Sequence, residues 1–201
     1  GKPFGPQRFL KRAPQSQQEL WEKNELAPRA IDREVSCSLH MAHMGCSSLP
    51  EALIKQSIRA GLSDGWGGSM MGTEFSDVLF GTPKPIDTEA NLGVMVEENV
   101  NIVVHGHDPS LSEMVCEYAD SPEMIAYAKE MGAKGITVSG VCCTSNEVAM
   151  RRGIPMAGNF LQQENVVLTG ACEAIVVDVQ CIFPALGPLS KCFHTNFITT
   201  Y

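Results

Sequence analysis

The chain has 201 residues, of which 44% are hydrophobic and 19% charged, a composition typical of a folded domain that excludes a disordered or collagen-like chain. The net charge is -8 and no basic stripe is present, so nucleic acid is not an expected partner. No apolar run approaches the roughly 18 residues of a membrane helix and the N-terminus lacks the apolar core of a signal peptide, so we expect a cytoplasmic protein without a membrane span.

Residues 1–30 are polar and interrupted by prolines, and we expect them to form a connector. Within this segment, Ser16 followed by Glu19 matches a capping box, which predicts a short helix. The first residue is Gly1 rather than Met, so we expect the chain to be a fragment or a processed product.

Residues 31–92 are predicted to form a helical and glycine-rich segment. One helix is predicted from Asp32 to Met44, and a second begins near Pro50, where apolar residues recur at helical spacing. The glycine-rich stretch SDGWGGSMMG (63–72) matches neither a dinucleotide-binding motif nor a nucleophile elbow. Its glycines indicate a backbone that either takes positive φ or lies close against other atoms.

Residues 93–201 alternate short β-branched runs with helix-like segments. The predicted strands are Val100–Val104, Ile136–Val141, Ala174–Val179 and Phe197–Thr200. Helix starts are predicted at Asp108-Pro109, at Ser121-Pro122 and at a capping box from Thr144 to Glu147, whose helix ends at Gly153. Continuously apolar strands are typical of a parallel sheet that helices cover on both faces. The predicted fold is therefore an α/β domain with an open, mostly parallel, Rossmann-like sheet and flanking helices, preceded by a helical N-terminal segment.

Three successive strands of this domain are followed by metal-binding residue types. His107 follows the first strand, Cys143 the second and Cys181 the third. The carboxyl ends of parallel strands share one edge of the sheet, where ligands bind, so we expect the three side chains to meet there. Thiolate and imidazole both bind iron, nickel, copper and zinc, and the sequence therefore predicts a transition-metal or iron–sulfur site.

The eight cysteines amount to about 4% of the residues, below the level of a disulfide scaffold, and no C-x-x-C pair supports a zinc ribbon. A cysteine at the end of a buried strand is most often a small apolar residue, and we expect Cys142 to pack rather than to ligate. His105 is expected to be a hydrogen-bonded core histidine. Burial in the interior is the default expectation for Cys37, Cys116, Cys172 and Cys192.

Several stretches of the chain closely resemble the nickel-dependent, anaerobic carbon monoxide dehydrogenases, from about Leu26 to the last residue. They are HMAHMG (40–45), LSDGWGGSMMGTEFSDVLFGTP (62–83), EANLGV (89–94), VNIVVHGHDPSLSEM (100–114), GVCCTSNEVAMRRGIP (140–155) and VDVQCIFPAL (177–186). The resemblance implies a nickel–iron–sulfur cluster that oxidises CO with water to CO2, two electrons and two protons, or runs the reverse reaction.

The resemblance also assigns roles to individual residues. It implies that His107 binds the pendant iron of the cluster, that Cys143 shares this iron and that Cys181 holds an iron of the cluster core. Asp64, in the glycine-rich stretch, resembles a position near the cluster and is a candidate for orienting ligands or relaying protons. A carboxylate that caps a turn is the alternative interpretation of Asp64.

The family resemblance further implies partners and cofactors outside this sequence. These are three more cluster cysteines, [4Fe–4S] clusters that this chain does not bind, the remaining segments of the parent enzyme, a second copy in a homodimer, a ferredoxin-like electron acceptor and an acetyl-CoA synthase partner. On this interpretation the chain is the central third of the enzyme and supplies about half of the cluster ligands.

Two other functions stay open at this point. The parent could be a hybrid-cluster-like protein that reduces hydroxylamine at a His- and Cys-bound iron cluster. Alternatively, the chain could be a non-catalytic α/β assembly module whose cysteines hold no metal. Nickel content and bound metal at the strand ends distinguish these hypotheses.

Overall fold

The computed structural model describes residues 8–200, which divide into two compact units between Glu74 and Phe75. The domain limits that the sequence suggests, at residues 30 and 92, stay predictions. Within the described part of the chain, no helix is long and apolar enough to cross a membrane.

The first unit is helical. Its elements are a 3-10 turn Arg8–Arg12, α1 (Gln15–Lys23), α2 (Ile31–His43), α3 (Pro50–Ser63), a π-helical segment Asp64–Met70 and the beginning of α4 (Met71–Phe80). The helices predicted from Asp32 and from Pro50 are confirmed. The short helix predicted within residues 1–30 is confirmed as α1, but its capping box at Ser16 is wrong, because the helix begins directly after Pro14 and no side chain caps it. Instead Gln15 Nε2 donates to Glu19 Oε1 at 2.9 Å.

A buried ion pair lies inside this unit. Glu34 in α2 is fully buried and accepts two hydrogen bonds from the Arg29 guanidinium, each of 2.8 Å. Gln56 of α3 donates to the same carboxylate at 2.8 Å. Burial raises the pKa of Glu34, but the hydrogen bonds from Arg29 and Gln56 outweigh it and lower the pKa to about 2. The pair thus joins α2 to α3 through a carboxylate that stays ionised.

One glycine of the π-helical segment, Gly67, permits close packing. A Cβ on Gly67 would lie 2.0 Å from the Cδ1 of Ile31, closer than any real contact. Neither Gly67 nor its neighbour Gly68 is among the positive-φ residues of the described chain. Of the two alternatives that the sequence left for this stretch, close approach is therefore the one that the structure shows.

The second unit contains a five-stranded sheet in which every pairing is parallel. The strands are β1 (Val100–Gly106), β2 (Ile136–Val141), β3 (Met156–Gly158), β4 (Ala174–Val177) and β5 (Asn196–Thr199), in the order β3-β2-β1-β4-β5. The predicted α/β class and the parallel sheet are confirmed. The sequence missed β3, which has only three residues. The strand order reverses between β1 and β4, the position at which ligands bind in such sheets.

Helices flank this sheet: α5 (Pro109–Ala119), α6 (Pro122–Glu130), α7 (Cys142–Arg152), α8 (Gln163–Leu168) and α9 (Leu186–Ser190). The helix starts at Pro109 and Pro122 are confirmed, with Asp108 and Ser121 as side-chain caps. The capping box from Thr144 is wrong. The helix begins at Cys142, directly after β2, and Thr144 lies inside its first turn. Its end is as predicted, with Gly153 at φ +76°.

The main apolar cluster of the second unit packs against one face of the sheet. Val103, Val141, Ile175 and Val177 from the strands are fully buried. Val166, Val167 and Leu186 from α8 and α9 belong to the same cluster. Each such side chain contributes roughly 1.5–3 kcal/mol on burial, so the β-branched runs of the sequence account for much of the stability of this unit.

A charged cluster joins α5 and α7 at the side of the sheet. Glu113 of α5 is buried, and its carboxylate forms ion pairs with Arg151 Nη1 at 3.2 Å and with Arg152 Nε at 2.6 Å. Arg151 also donates to Asp77 at 2.9 Å and to the carbonyl of Gly81 at 2.7 Å. The last turn of α7 is therefore cross-linked to the middle of α5.

Candidate metal-cluster site

The central strands end at one level. In the sheet register, His105 of β1 is opposite Val141 of β2 and Val177 of β4. His107 and Cys143 come two residues after His105 and Val141, and Cys181 comes four residues after Val177. The structure therefore confirms that the three strands deliver these residues to the same edge of the sheet.

The backbone at this edge takes unusual conformations. Positive φ angles occur at Gly106 (134°), Cys142 (69°), Gln180 (66°) and Cys181 (59°). Residues other than glycine adopt this region rarely, and such conformations cluster at functional sites. Each of the three strand ends thus turns sharply at the residues that flank or include a candidate ligand.

His107 lies in the loop between β1 and α5. Its backbone N–H donates to Asp178 Oδ1 at 2.5 Å. Its Nε2 atom is buried and has no hydrogen-bond partner among residues 8–200. A buried imidazole nitrogen without a partner is unfavourable in a folded protein, and a metal ion is one group that satisfies it.

His105 is the hydrogen-bonded core histidine that the sequence predicts. The side chain is fully buried, and its Nε2 lies 2.9 Å from Gln163 Oε1. Gln163 uses its amide nitrogen to donate to the carbonyl of Cys181 at 2.9 Å. Burial lowers the pKa of His105, which favours the neutral imidazole. His105 therefore helps to hold the loop of Cys181 through Gln163, whereas His107 lies beyond the end of β1.

The neighbouring cysteines of α7 differ in exposure. Cys142 is buried in the core cluster, and burial raises the pKa of its thiol to about 12. This confirms that Cys142 packs. Cys143 is exposed in the first turn of the helix, with its Sγ 3.9 Å from that of Cys142. Cys181 is also exposed and is close enough to Cys142 to act on it electrostatically.

A cavity adjoins the two cysteines of α7. Its volume is about 520 Å³, and Asn146 of the same helix and Phe160 from the segment before α8 also line it. The exposed thiol of Cys143 therefore opens onto space at the carboxyl edge of the sheet.

No group of three or more His, Cys, Asp or Glu side chains in the described residues is arranged around a single metal ion. The candidate ligands share an edge without converging on one point. In iron–sulfur clusters each thiolate binds a different iron, so such ligands are spread over the width of the cluster. The donor set, an imidazole nitrogen without a partner and two exposed thiols, fits a cluster better than a single ion.

Asp178 is a residue of this edge that the sequence analysis missed. Its carboxylate is buried, with 5% of the residue exposed, and it accepts hydrogen bonds from the backbone N–H groups of His107 and Val179. Burial raises the pKa of Asp178 although these hydrogen bonds oppose the effect. The available signal was an aspartate within the apolar strand sequence AIVVDV, because a buried acid requires a partner.

The other cysteines only partly follow the expectation of burial. Cys116 and Cys172 are buried, and burial raises the pKa of each thiol to about 12. Cys37 is half-buried, with its Sγ 3.3 Å from Arg29 Nη2. Cys192 is exposed, so the prediction is wrong there, because the residue follows the short helix α9 instead of lying inside a helix.

Asp64 lies in the first unit, at the start of the π-helical segment, and its side chain is exposed. A Cβ on Gly68 would lie 2.6 Å from Asp64 Oδ1, so the carboxylate folds back over its own helical turn. The proposed relay role of Asp64 stays a prediction.

The fold and the edge residues define a class of protein, the α/β proteins that carry an imidazole and thiols at the topological switch of a parallel sheet. Residues 5–201 match the model of the Prismane/CO dehydrogenase family. The chain belongs to this family.

Individual relatives agree with the family match. Carbon monoxide dehydrogenase 1 of Methanosarcina mazei is 52% identical over 200 residues, which cover 100% of this chain and 32% of the relative. The beta subunit of carbon monoxide dehydrogenase/acetyl-CoA synthase of Moorella thermoacetica is 44% identical over 92% of this chain and 27% of its own. The chain thus spans about a third of the length of the curated relatives that it matches.

Solved structures show the same fold. A Ni-free crystal structure of carbon monoxide dehydrogenase from Thermococcus sp. AM4 matches with a TM-score of 0.82 and 54% identity, covering all of this chain and 32% of that one. Carbon monoxide dehydrogenase IV of Carboxydothermus hydrogenoformans matches with a TM-score of 0.80 and 47% identity, again over 100% and 32%.

Proposed function

We propose that the protein to which this chain belongs interconverts CO and water with CO2, two electrons and two protons at a nickel–iron–sulfur cluster. The observation that carries the proposal is that a chain of a carbon monoxide dehydrogenase family presents His107, Cys143 and Cys181 at one edge of its sheet. The relatives named above are carbon monoxide dehydrogenases, so neither hydroxylamine reduction nor a metal-free assembly role is favoured.

The three residues would hold different parts of the cluster. His107 would bind the pendant iron through its buried Nε2, and Cys143 would share that iron. Cys181 would bind an iron of the cluster core. The loop of Cys181 is fixed by Gln163, and Cys143 is fixed by the first turn of α7. Ligands on fixed backbone hold a metal with little loss of entropy on binding.

The bound cluster would supply a soft metal for CO and a Lewis acid that makes water more acidic. The residues of this chain would orient and enclose it. The apolar core beneath the edge, which includes Cys142, keeps water away from the sheet side. Asp64 is our candidate for relaying the released protons.

The partners of the reaction follow from the same proposal. The remaining cluster ligands would come from segments outside this sequence, and the protein would act as a cytoplasmic homodimer. The electrons would pass to a ferredoxin-like acceptor. An acetyl-CoA synthase partner is suggested by the relative from Moorella thermoacetica, whose name includes that activity.

The test uses the full-length protein encoded by the gene, produced anaerobically with nickel. We expect bound nickel and iron together with CO-dependent reduction of a viologen dye. In Cys181→Ser the activity should fall by at least about 100-fold, because a cluster ligand is lost. Cys192→Ser, which also removes an exposed cysteine of the second unit, should retain activity.

Protein that contains no metal after this preparation would contradict the proposal. Bound iron without nickel, together with reduction of hydroxylamine, would establish the alternative activity. Equal activities of the Cys181 and Cys192 variants would show that Cys181 is not a ligand.

A further inference from the structure

Two buried side chains from other elements form hydrogen bonds with the loop that carries His107. The loop, Gly106–Asp108, connects β1 to α5. On one side it contacts Asp178, which follows β4, and on the other side it contacts Thr144 in α7. These two neighbours are close in sequence to the two thiols, since Asp178 precedes Cys181 by three residues and Thr144 follows Cys143 directly.

The contact with Asp178 fixes the amino end of the loop. The Oδ1 atom accepts the N–H of His107 at 2.5 Å and also the N–H of Val179. A Cβ on Gly106 would lie 1.9 Å from the same Oδ1 atom, so the carboxylate reaches this position only because residue 106 has no side chain. The loop and the carboxylate are therefore complementary in shape as well as in hydrogen bonding.

The contact with Thr144 fixes the other end. Thr144 is fully buried, and its Oγ1 donates to the carbonyl of Asp108 at 3.2 Å. The same oxygen lies 2.6 Å from Ser112 Oγ of α5. A carbonyl only accepts, so the Thr144 proton points to Asp108 and Ser112 donates to Thr144. The chain of hydrogen bonds thus joins the first turns of α5 and α7.

We propose that Asp178 and Thr144 are positioning residues that set the imidazole of His107 relative to the thiols of Cys181 and Cys143. Neither side chain binds the cluster. Asp178 ties the backbone N–H of His107 to the segment that carries Cys181, and Thr144 ties the carbonyl of the next residue, Asp108, to the helix that carries Cys143. This inference rests on the proposed function, because it concerns ligands of the same cluster.

The Thr144 contact is tested in the full-length protein with Thr144→Val and Thr144→Ser. The valine variant keeps the shape and loses the hydroxyl, and we expect about a 10- to 100-fold loss in metal affinity, the range for residues that orient metal ligands. The serine variant keeps the hydroxyl and should recover most of the wild-type affinity. Ser139→Ala is the matched control, because Ser139 Oγ is equally buried in β2 and has no hydrogen-bond partner among the described residues.

The Asp178 contact is tested with Asp178→Ala and Asp178→Asn. The alanine variant leaves the His107 N–H without an acceptor, whereas the asparagine variant keeps the Oδ1 acceptor, so we expect a large loss of metal affinity only in the first. Glu173→Ala is the matched control. Its carboxylate accepts the backbone N–H of Asn101 at 2.5 Å, joining the same two strands, β1 and β4, at the opposite edge of the sheet.

The measurements are iron and nickel per folded protein, the absorption of thiolate–iron charge transfer, and the midpoint of urea unfolding. Loss of metal in Thr144→Val and Asp178→Ala but in neither control supports the proposal. Wild-type metal content and spectra in both variants would overturn it. If Thr144→Val and Asp178→Ala fail to fold, the test rests on Thr144→Ser and Asp178→Asn. The proposal requires that both of these variants bind metal with wild-type affinity, and a loss of metal in either would overturn it. A wild-type protein that binds no metal would instead refute the proposed function itself.

Discussion

At the residue scale, the candidate site depends on the absence of a side chain at Gly106. The residue has φ +134°, and the Oδ1 atom of Asp178 occupies the space that a Cβ would need. The sequence places Gly106 between His105 and His107 but does not show this contact, because Asp178 follows a different strand, 72 residues further on in the chain.

We predict that Gly106→Ala lowers the free energy of unfolding by more than the roughly 1–3 kcal/mol of backbone strain alone, because the new methyl group also displaces Asp178. Urea unfolding at neutral pH measures the effect. Gly132→Ala is the control, since Gly132 has φ +99° and no atom within 4 Å of a Cβ. Equal losses in the two variants would show that contact with Asp178 adds nothing to the strain.

The two histidines that flank Gly106 show what residue patterns do predict. His105 lies within the apolar strand β1 and His107 in the loop that follows it, and the structure confirms a core role for the first. The exposure of Cys192 was not predictable in this way. It depends on where α9 ends and on what covers that turn.

At the scale of elements, the start of α7 shows tertiary structure overriding a local signal. Thr144 and Glu147 match a capping box, yet β2 continues directly into the helix through the left-handed Cys142. The hydroxyl of Thr144 is used instead by Asp108. A capping motif therefore predicts a helix nearby, but it predicts the first residue of that helix only to within about two positions.

The pairing of α2 with α3 depends on the ionised carboxylate of Glu34, which makes the first unit sensitive to acid. The folded-state pKa of about 2 lies below the ordinary value of 4.5, so the stabilisation is complete above that value and is lost as the pH falls through 2. We predict that Glu34 contributes on the order of 3 kcal/mol at pH 7.

The measurement is urea unfolding of the wild type and Glu34→Gln between pH 7 and pH 2. The difference between the two proteins should shrink below about pH 4.5, because protonation removes the charge from the wild type as well. Glu51→Gln alters an exposed pair with Lys55 on α3 and should change stability by less than about 1 kcal/mol. A difference that is independent of pH would contradict the role of the Glu34 charge.

At the scale of the whole molecule, the candidate ligands and the two tryptophans, whose fluorescence can follow unfolding, lie in different units. His107, Cys143 and Cys181 belong to Phe75–Tyr201, whereas both tryptophans, Trp21 and Trp66, belong to Gly1–Glu74. A metal that binds only the folded second unit stabilises that unit by mass action, by about 4 kcal/mol when the metal is at 1,000 times its dissociation constant.

We predict that removal of metal by an anaerobic chelator increases hydrogen exchange mainly at the ends of β1, β2 and β4. The amides of α2 and α3 should change less, since no candidate cluster ligand lies on those helices. Hydrogen exchange with mass spectrometry measures both regions in one experiment on the metal-loaded full-length protein. Equal changes in the two units would contradict a cluster that is held by the strand ends.

The sequence by itself determined the elements whose causes are local. Runs of β-branched residues made four of the five strands recognisable, and Asp108-Pro109 and Ser121-Pro122 fixed two helix starts, because these preferences depend on neighbouring residues. The same information placed His107, Cys143 and Cys181 after successive strands, and their resemblance to a known family gave them a role.

Only the tertiary structure decided the strand order, the short strand Met156–Gly158 and the residues that surround the candidate ligands. Asp178 and Thr144 reach the loop of His107 from elements that are distant in sequence, and the burial of Cys142 beside the exposed Cys143 depends on how α7 packs on the sheet. Such contacts join parts of the chain that local preferences do not relate, and they form only when the sheet brings its strand ends to one level.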